Sequence, residues 1–139
     1  MESASTPRAT SGDVFLMVSR VGLGFVFLYA GALKGFDLAG ATAEIQALGV
    51  PFARPAAAFA ALIQIVGGSG VILGWRVGAA ATALAVLTAA AILAGHSGWM
   101  LDFPGAPALP HALVTGGFAA LALHGPGRLS FDAAATRPG

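Results

Sequence analysis

Residues 55–95 read PAAAFAALIQIVGGSGVILGWRVGAAATALAVLTAAAILAG and contain a single charged residue, Arg76. A helix that spans the hydrocarbon core of a bilayer needs about 20 mostly apolar residues. The quoted stretch supplies that length twice, once on each side of Arg76, and so predicts spanning helices over about 55–75 and 77–96. Because only one or two residues join them, the two helices must pack as antiparallel neighbours.

Two further apolar runs flank this pair, over about 14–33 and 109–124. Prolines at positions 51, 55, 110 and 126 fall close to the proposed helix ends, where a missing N–H is tolerated. The runs are rich in Ala and Leu and lack strict alternation, which disfavours strands. We therefore expect an all-α, integral membrane four-helix bundle in one domain, residues 14–125, with tails at 1–13 and 126–139.

Composition supports a chain that is solvated by lipid. The 139 residues are 57% hydrophobic and 9% charged, whereas about 25% of a typical soluble domain is charged. The net charge of +1 does not indicate a basic surface of the kind that binds nucleic acid. The absence of cysteine excludes a disulfide scaffold, a thiolate metal site and a thiol redox step carried by this chain alone.

The connection between the first two spans has helical character of its own. Its apolar residues recur at an approximately helical spacing, and two acidic residues lie among them: Leu38, Ala41, Ile45 and Leu48, with Asp37 and Glu44. This pattern predicts a short amphipathic helix at the membrane interface.

Lys and Arg in the short flanks predict the orientation of the bundle. The side that holds both termini carries Arg8, Arg76, Arg128 and Arg137, and the opposite side carries Lys34 and Arg54. We therefore expect a multi-pass protein of the inner (plasma) membrane with both termini in the cytoplasm. A cleaved signal peptide ending near Ala32 is disfavoured, because Arg20 interrupts its apolar region.

Small residues recur every four positions along three of the spans, at Gly70 and Gly74, at Ala81, Ala85 and Ala89, and at Ala112, Gly116 and Ala120. Such stripes allow close approach of helices in lipid. They are expected to hold the bundle together, and they are also candidates for contacts in a homo-oligomer. The sequence leaves both uses open.

Two polar residues inside the proposed spans are the most informative, namely Arg20, about six residues into the first span, and Gln64, near the middle of the second. Arg20 either reaches back to the lipid head groups or faces the bundle and holds a polar or anionic group. Gln64 needs hydrogen-bond partners in a medium without water, so an interhelical bond is its simplest role. With antiparallel spans, the two residues are expected to lie within about 8 Å along the bundle axis.

A second polar set is predicted at the opposite end of the bundle, formed by Tyr29, Lys34, His96, Trp99, Asp102 and His111. An interfacial belt of aromatic and basic residues is one interpretation of this set. A proton-transfer site is another, because histidine exchanges protons near neutral pH. The spacing matches no recognised metal motif, so no metal is predicted.

The order of several motifs resembles the DoxX family of small membrane proteins over about residues 17–135. The matching elements are Arg20 with Gly24, Gly31-Ala32-Leu33-Lys34, Leu48-Gly49-Val50-Pro51, Gly67-Gly68, Gly74 before Arg76, and Gly125-Pro126-Gly127-Arg128-Leu129-Ser130-Phe131-Asp132. The resemblance implies a four-helix membrane protein. Some relatives are subunits of quinone-linked thiosulfate oxidation, and others are associated with membrane redox-stress assemblies.

The resemblance implies a subunit or accessory of a quinone-linked redox system, acting in sulfur oxidation or oxidative stress, with a bound quinone and no covalent cofactor. Arg20 would hold the head group, Gln64 would orient it, and His96 or His111 would supply a proton path, with Tyr29 and Lys34 as further candidates. Family members often carry glutamate in place of Gln64 and near His111, so a proton-coupled role is not carried over directly.

Two other functions stay open at this stage. One is a non-catalytic scaffold that docks a soluble redox partner at the membrane, and the other is a small-solute or ion pathway in an oligomer. The chain has no cysteine, no haem-attachment motif and no Gly-rich nucleotide loop. Electrons would therefore have to come from a bound quinone or from a soluble or membrane redox partner.

Overall fold

Helices account for almost all of the backbone that the computed structural model describes, residues 8–94 and 109–136. The helices are α1 (Ser11–Phe36), α2 (Leu38–Ala47), α3 (Ala53–Leu73), α4 (Val77–Leu93), α5 (Leu109–His124) and α6 (Phe131–Ala135). No strand occurs over these two ranges. The predicted all-α class and the short helix between the first two long helices are thus confirmed.

The four long helices differ in how far they can extend across a bilayer. By length and composition, α1 with 26 residues and α3 with 21 residues can each cross a membrane. The apolar helices α4 and α5 have 17 and 16 residues. At 1.5 Å per residue each is about 25 Å long, a few ångströms less than a typical hydrocarbon core.

The first helix begins earlier than the apolar run suggested, because a capping box precedes it. The Thr10 hydroxyl accepts the Asp13 N–H at 3.2 Å, and the Asp13 carboxylate accepts the Thr10 N–H at 2.8 Å. These reciprocal bonds satisfy two of the N–H groups that a helix start leaves without partners. The helix therefore starts at Ser11, inside the predicted N-terminal tail.

The turn between α3 and α4 has three residues, 74–76, and is thus slightly longer than the one or two residues that the sequence predicted. Gly74 and Arg76 adopt left-handed backbone conformations, with φ of 73° and 48°, and the Trp75 N–H donates to the Gly70 carbonyl at 2.9 Å. A glycine is favoured at the first of these positions because it carries no Cβ. The turn makes α3 and α4 adjacent antiparallel helices.

Glycines bring α1 and α3 into backbone contact. A Cβ built on Gly68 would lie 2.7 Å from the Leu28 nitrogen and 2.8 Å from the Gly24 oxygen. A Cβ on Gly31 would lie 2.8 Å from the Cβ of Gln64. These contacts fix the register of the two helices, with Gly24 beside Gly68 and Gly31 beside Gln64.

The small-residue stripes predicted from sequence differ in how far they are buried in the bundle. Ala81 on α4 is fully buried in the core. Ala112, Gly116 and Ala120 on α5 are exposed, and a Cβ on Gly116 would meet no neighbouring atom within 4 Å. The α5 stripe therefore does not hold this bundle together over the described residues.

The core lies at mid-height of the bundle, where large side chains fill the space between α1, α3, α4 and α5. Phe27 and Phe118 meet edge to face, with ring centroids 4.9 Å apart and an angle of 86°. Leu84 and Val71 are fully buried beside them. Through the phenylalanine pair, α5 reaches α1, although α5 packs mainly on α4.

We expect Gly68→Ala to destabilise the protein by about 1–3 kcal/mol, because the added methyl group would collide with backbone atoms of α1. The measurement is thermal unfolding of the purified protein in detergent. Gly22→Ala is the matched control, since a Cβ there meets nothing within 4 Å. Equal melting temperatures for the two variants would contradict the proposed close contact.

Candidate functional site

Arg20 is buried, with 2% of its surface exposed, and faces the bundle rather than lipid. Its Nη1 donates to the Pro126 carbonyl at 2.9 Å and its Nη2 donates to the Leu129 carbonyl at 2.8 Å. Charged donors make stronger hydrogen bonds than neutral ones, so these two carbonyl oxygens stabilise the cation. The guanidinium therefore binds backbone groups of the chain itself.

These carbonyls belong to the C-terminal clasp, which we define as residues 125–136. Within it, the two carboxylate oxygens of Asp132 accept the Arg76 and Val77 N–H groups at 2.8 and 2.9 Å. The Asp132 N–H in turn donates to the Gly74 carbonyl at 2.9 Å. The clasp thereby caps the start of α4, which has no cap from its own N-cap side chain.

The clasp changes the interpretation of the C-terminal segment. Residues 126–139 were expected to form a tail, but residues 126–136 fold against the end of the bundle and include the short helix α6. Gly74 makes this packing feasible, because a Cβ there would collide with Arg20 and Ser130. Arg128 adds an ion pair to Asp13 at 3.7 Å.

A cavity of about 260 Å³ lies in the opposite half of the bundle, beside α2. All five helices from α1 to α5 contribute to its lining. The walls are mostly apolar and include Phe27, Ala60 and Leu87. The polar residues on the lining are Lys34, Glu44, Gln64, Thr88 and His111. An apolar cavity with a few polar groups is typical of a small-molecule site.

Among the polar residues that line the cavity, Gln64 lies near the centre of the long helix α3. Its Oε1 atom is buried and accepts no hydrogen bond from any residue in the described ranges. Thr88, on α4, donates its hydroxyl proton to the Leu84 carbonyl at 2.7 Å and keeps its oxygen lone pairs for accepting. Buried polar atoms are normally satisfied, so the Gln64 amide indicates a place where a further group is expected to bind.

Two charged residues and an imidazole complete the polar lining. Lys34 comes from the last turn of α1, and Glu44 comes from α2. Their charges are opposite, so together they leave the cavity wall without a net charge. His111, near the start of α5, is buried with 6% of its surface exposed.

The structure separates the predicted site residues that it describes. Gln64, Lys34 and His111 line the cavity together. Tyr29 faces outward, half exposed and stacked on Phe25 with ring centroids 6.4 Å apart. His96, Trp99 and Asp102 lie outside the described residues.

Arg20 does not share the cavity with Gln64, which corrects the expected proximity of these two residues. Gln64 packs beside Gly31, eleven residues further along α1 than Arg20, so about 16 Å of helix separates them. The estimate of 8 Å assumed that the ends of the two antiparallel helices lie at the same depth, whereas the Gly24–Gly68 contact sets the actual register.

Sequence reasoning missed two cavity residues, Glu44 and Thr88. Glu44 was assigned to the polar face of the amphipathic helix, and Thr88 was not singled out. The signal for Thr88 was available, because it is one of only two threonines in a helix otherwise made of apolar residues and glycine. In the described part of the chain, no group of three His, Cys, Asp or Glu side chains could hold a metal ion.

The family model DoxX matches residues 15–97, which is more than half of the chain. This match extends from α1 through α4, and it includes Arg20, Lys34 and Gln64. No curated protein and no solved structure matches the chain.

We expect Arg20→Gln to loosen the clasp, because two hydrogen bonds from a charged donor are lost or weakened. Each such bond contributes about 1.5–3 kcal/mol, so hydrogen exchange over residues 125–136 should become at least tenfold faster. Exchange is measured by mass spectrometry on the protein in detergent micelles.

Arg128→Gln is the control for this experiment, since it removes a cation from the same end of the bundle whose ion pair with Asp13 is partly exposed. Such pairs contribute about 1 kcal/mol or less, so exchange in the clasp should change little. A clasp that exchanges at the same rate in both variants would show that Arg20 does not hold it.

Proposed function

Because the chain belongs to the DoxX family and is a membrane protein, we propose that it binds a quinone head group in the bundle cavity. It would act there as a subunit or accessory of a quinone-linked redox system. The observation that carries this proposal is the buried Gln64 Oε1, an acceptor that has no donor in the described residues and belongs to a side chain that lines an apolar cavity. A hydroxyl group of the reduced quinone would supply that donor.

The chemistry of the cavity lining suits a ring that carries two oxygen atoms. The Gln64 amide group and the Lys34 ammonium group are hydrogen-bond donors for carbonyl oxygens. The Gln64 carbonyl and the Thr88 hydroxyl oxygen can accept from the hydroxyl groups of the reduced ring. Phe27, Leu87 and the alanines of α3 and α4 offer apolar walls to the ring faces.

A bound quinone would supply a carrier of two electrons and two protons, which the side chains of this protein do not provide. The protein's own residues would orient the head group and manage its protons. Gln64 fixes the ring in the cavity, and His111 supplies an imidazole, whose two ring nitrogens can donate and accept hydrogen bonds. Lys34 and Glu44 add a cation and an anion at the α2 side of the cavity.

The electrons would have to pass between the quinone and a partner protein, either soluble or membrane-bound. The chain contains no cysteine for a cluster or thiol couple. This is the reason for proposing a subunit or an accessory rather than a complete enzyme. A scaffold that docks a soluble redox partner shares this requirement and differs from the main proposal in needing no ligand in the cavity.

A pathway for solutes or ions through one chain has less support. The core of Phe27, Val71, Leu84 and Phe118 fills the bundle between the cavity and the clasp. These side chains are closely packed and almost completely buried, so the cavity does not continue through the described part of the bundle.

We also propose that the protein is multi-pass in the inner (plasma) membrane, with the clasp and both termini on the cytoplasmic side. Arg76 belongs to the turn beside the clasp and Arg128 to the clasp itself, and Lys34 and Arg54 belong to the other end. Arginine and lysine in short flanks favour the cytoplasmic side.

Gln64→Leu should weaken binding of a short-tailed benzoquinone about tenfold, because one buried hydrogen bond contributes about 1–1.5 kcal/mol. Ala60→Leu should abolish binding by filling the cavity. Binding is measured by isothermal titration on protein in lipid nanodiscs. Tyr29→Phe, which faces away from the cavity, is the control and should bind like the parent protein. Saturable binding that neither cavity variant reduces would place the quinone elsewhere.

The orientation can be tested by cysteine labelling, since the natural chain contains no cysteine. Arg128→Cys should react with a membrane-impermeant maleimide only after the cells are opened. Arg54→Cys should react in intact spheroplasts, because it belongs to the opposite end of the bundle. The reverse pattern of labelling would invert the proposed topology.

A further inference from the structure

A second hollow, the α3–α4 groove, lies on the outside of the bundle and has a volume of about 370 Å³. Small residues leave the groove open along its floor, namely Gly67 and Gly70 on α3 and Ala79, Ala80 and Ala83 on α4. Leu62 and Val66 form an exposed apolar wall, with more than half of each side chain accessible. In a membrane protein this surface meets lipid tails.

One end of the groove has a different chemistry from the rest. Trp75 and Arg76, in the turn between α3 and α4, line it there. Trp75 is 55% exposed, as expected for an aromatic residue at head-group depth. Arg76 is the only charged residue on the groove lining over the described ranges.

The guanidinium of Arg76 is available for a ligand. Asp132, the acidic residue of the clasp, uses its two carboxylate oxygens to accept hydrogen bonds from the backbone N–H groups of Arg76 and Val77. No ion pair involves the Arg76 side chain within residues 8–94 and 109–136. The Arg76 side chain is exposed at the point where the apolar groove ends.

We infer that the α3–α4 groove binds a phospholipid with an anionic head group. One acyl chain lies along the small residues of α3 and α4, and the phosphate contacts Arg76. The pattern of one cation at the head-group end and apolar lining along the rest matches an anionic amphiphile. A helix from a second copy would match the apolar lining but would have to bring a carboxylate to Arg76.

The inference is tested on the full chain purified in mild detergent and mixed with phosphatidylglycerol or phosphatidylcholine of identical acyl chains. Native mass spectrometry counts the lipids retained per protein. We expect phosphatidylglycerol to be retained about fivefold better, the effect of one basic residue on an anionic lipid. Arg76→Gln should abolish this preference, and Arg54→Gln, at the other end of the bundle, should preserve it.

A second variant tests the acyl-chain part of the groove. Ala79→Phe should reduce retention of both lipids, because its side chain occupies the floor, whereas Ala119→Phe on the exposed face of α5 should not. Equal retention of the two lipids by the parent protein would overturn the inference, as would an unchanged preference in Arg76→Gln. A dimer that Ala79→Phe dissociates, without lipid loss, would instead assign the groove to a second copy.

Discussion

The structure depends on a buried cation that is stabilised by backbone oxygens. Arg20 is placed in the first helix, where an unpaired guanidinium in hydrocarbon would cost about 2.5–3.5 kcal/mol or more. The carbonyls of Pro126 and Leu129 accept two hydrogen bonds from the guanidinium and offset part of that cost, and in doing so they draw the C-terminal clasp across the end of the bundle. Asp132 then reaches the start of α4, so one charge organises α1, the α3–α4 turn and the clasp together.

This arrangement gives the two ends of the bundle different properties. At the clasp end, side chains make hydrogen bonds to backbone groups. In the middle of the bundle, Phe27, Phe118 and Leu84 pack closely against one another. The α2 end keeps a cavity in which the Gln64 Oε1 has no partner in the described residues. A closely packed core next to a polar atom without a hydrogen-bond partner, here the Gln64 Oε1, is the arrangement expected of a binding site in a small helical protein.

Much of this fold follows from the sequence because its signals are strong and local. The two apolar runs around Arg76 determine the α3–α4 pair, and the spacing of Leu38, Ala41 and Ile45 indicates α2. Gln64 was predicted inside the second span, and Lys34 and His111 were predicted in the polar set at one end of the bundle; the three line one cavity. The role of Arg20 could not be derived in the same way. Its partners are main-chain carbonyls, which no side-chain pattern reveals, and its depth depends on a register that glycine contacts set.

The distance along the chain between Arg20 and its acceptors bears on how the protein is made. The acceptors follow it by 106 and 109 residues along the chain. During translation the first helix leaves the ribosome before either oxygen does, so Arg20 lacks these two acceptors until residues 126–129 have been made. A product truncated before residue 126 therefore has no backbone oxygen from this segment for its Arg20 guanidinium.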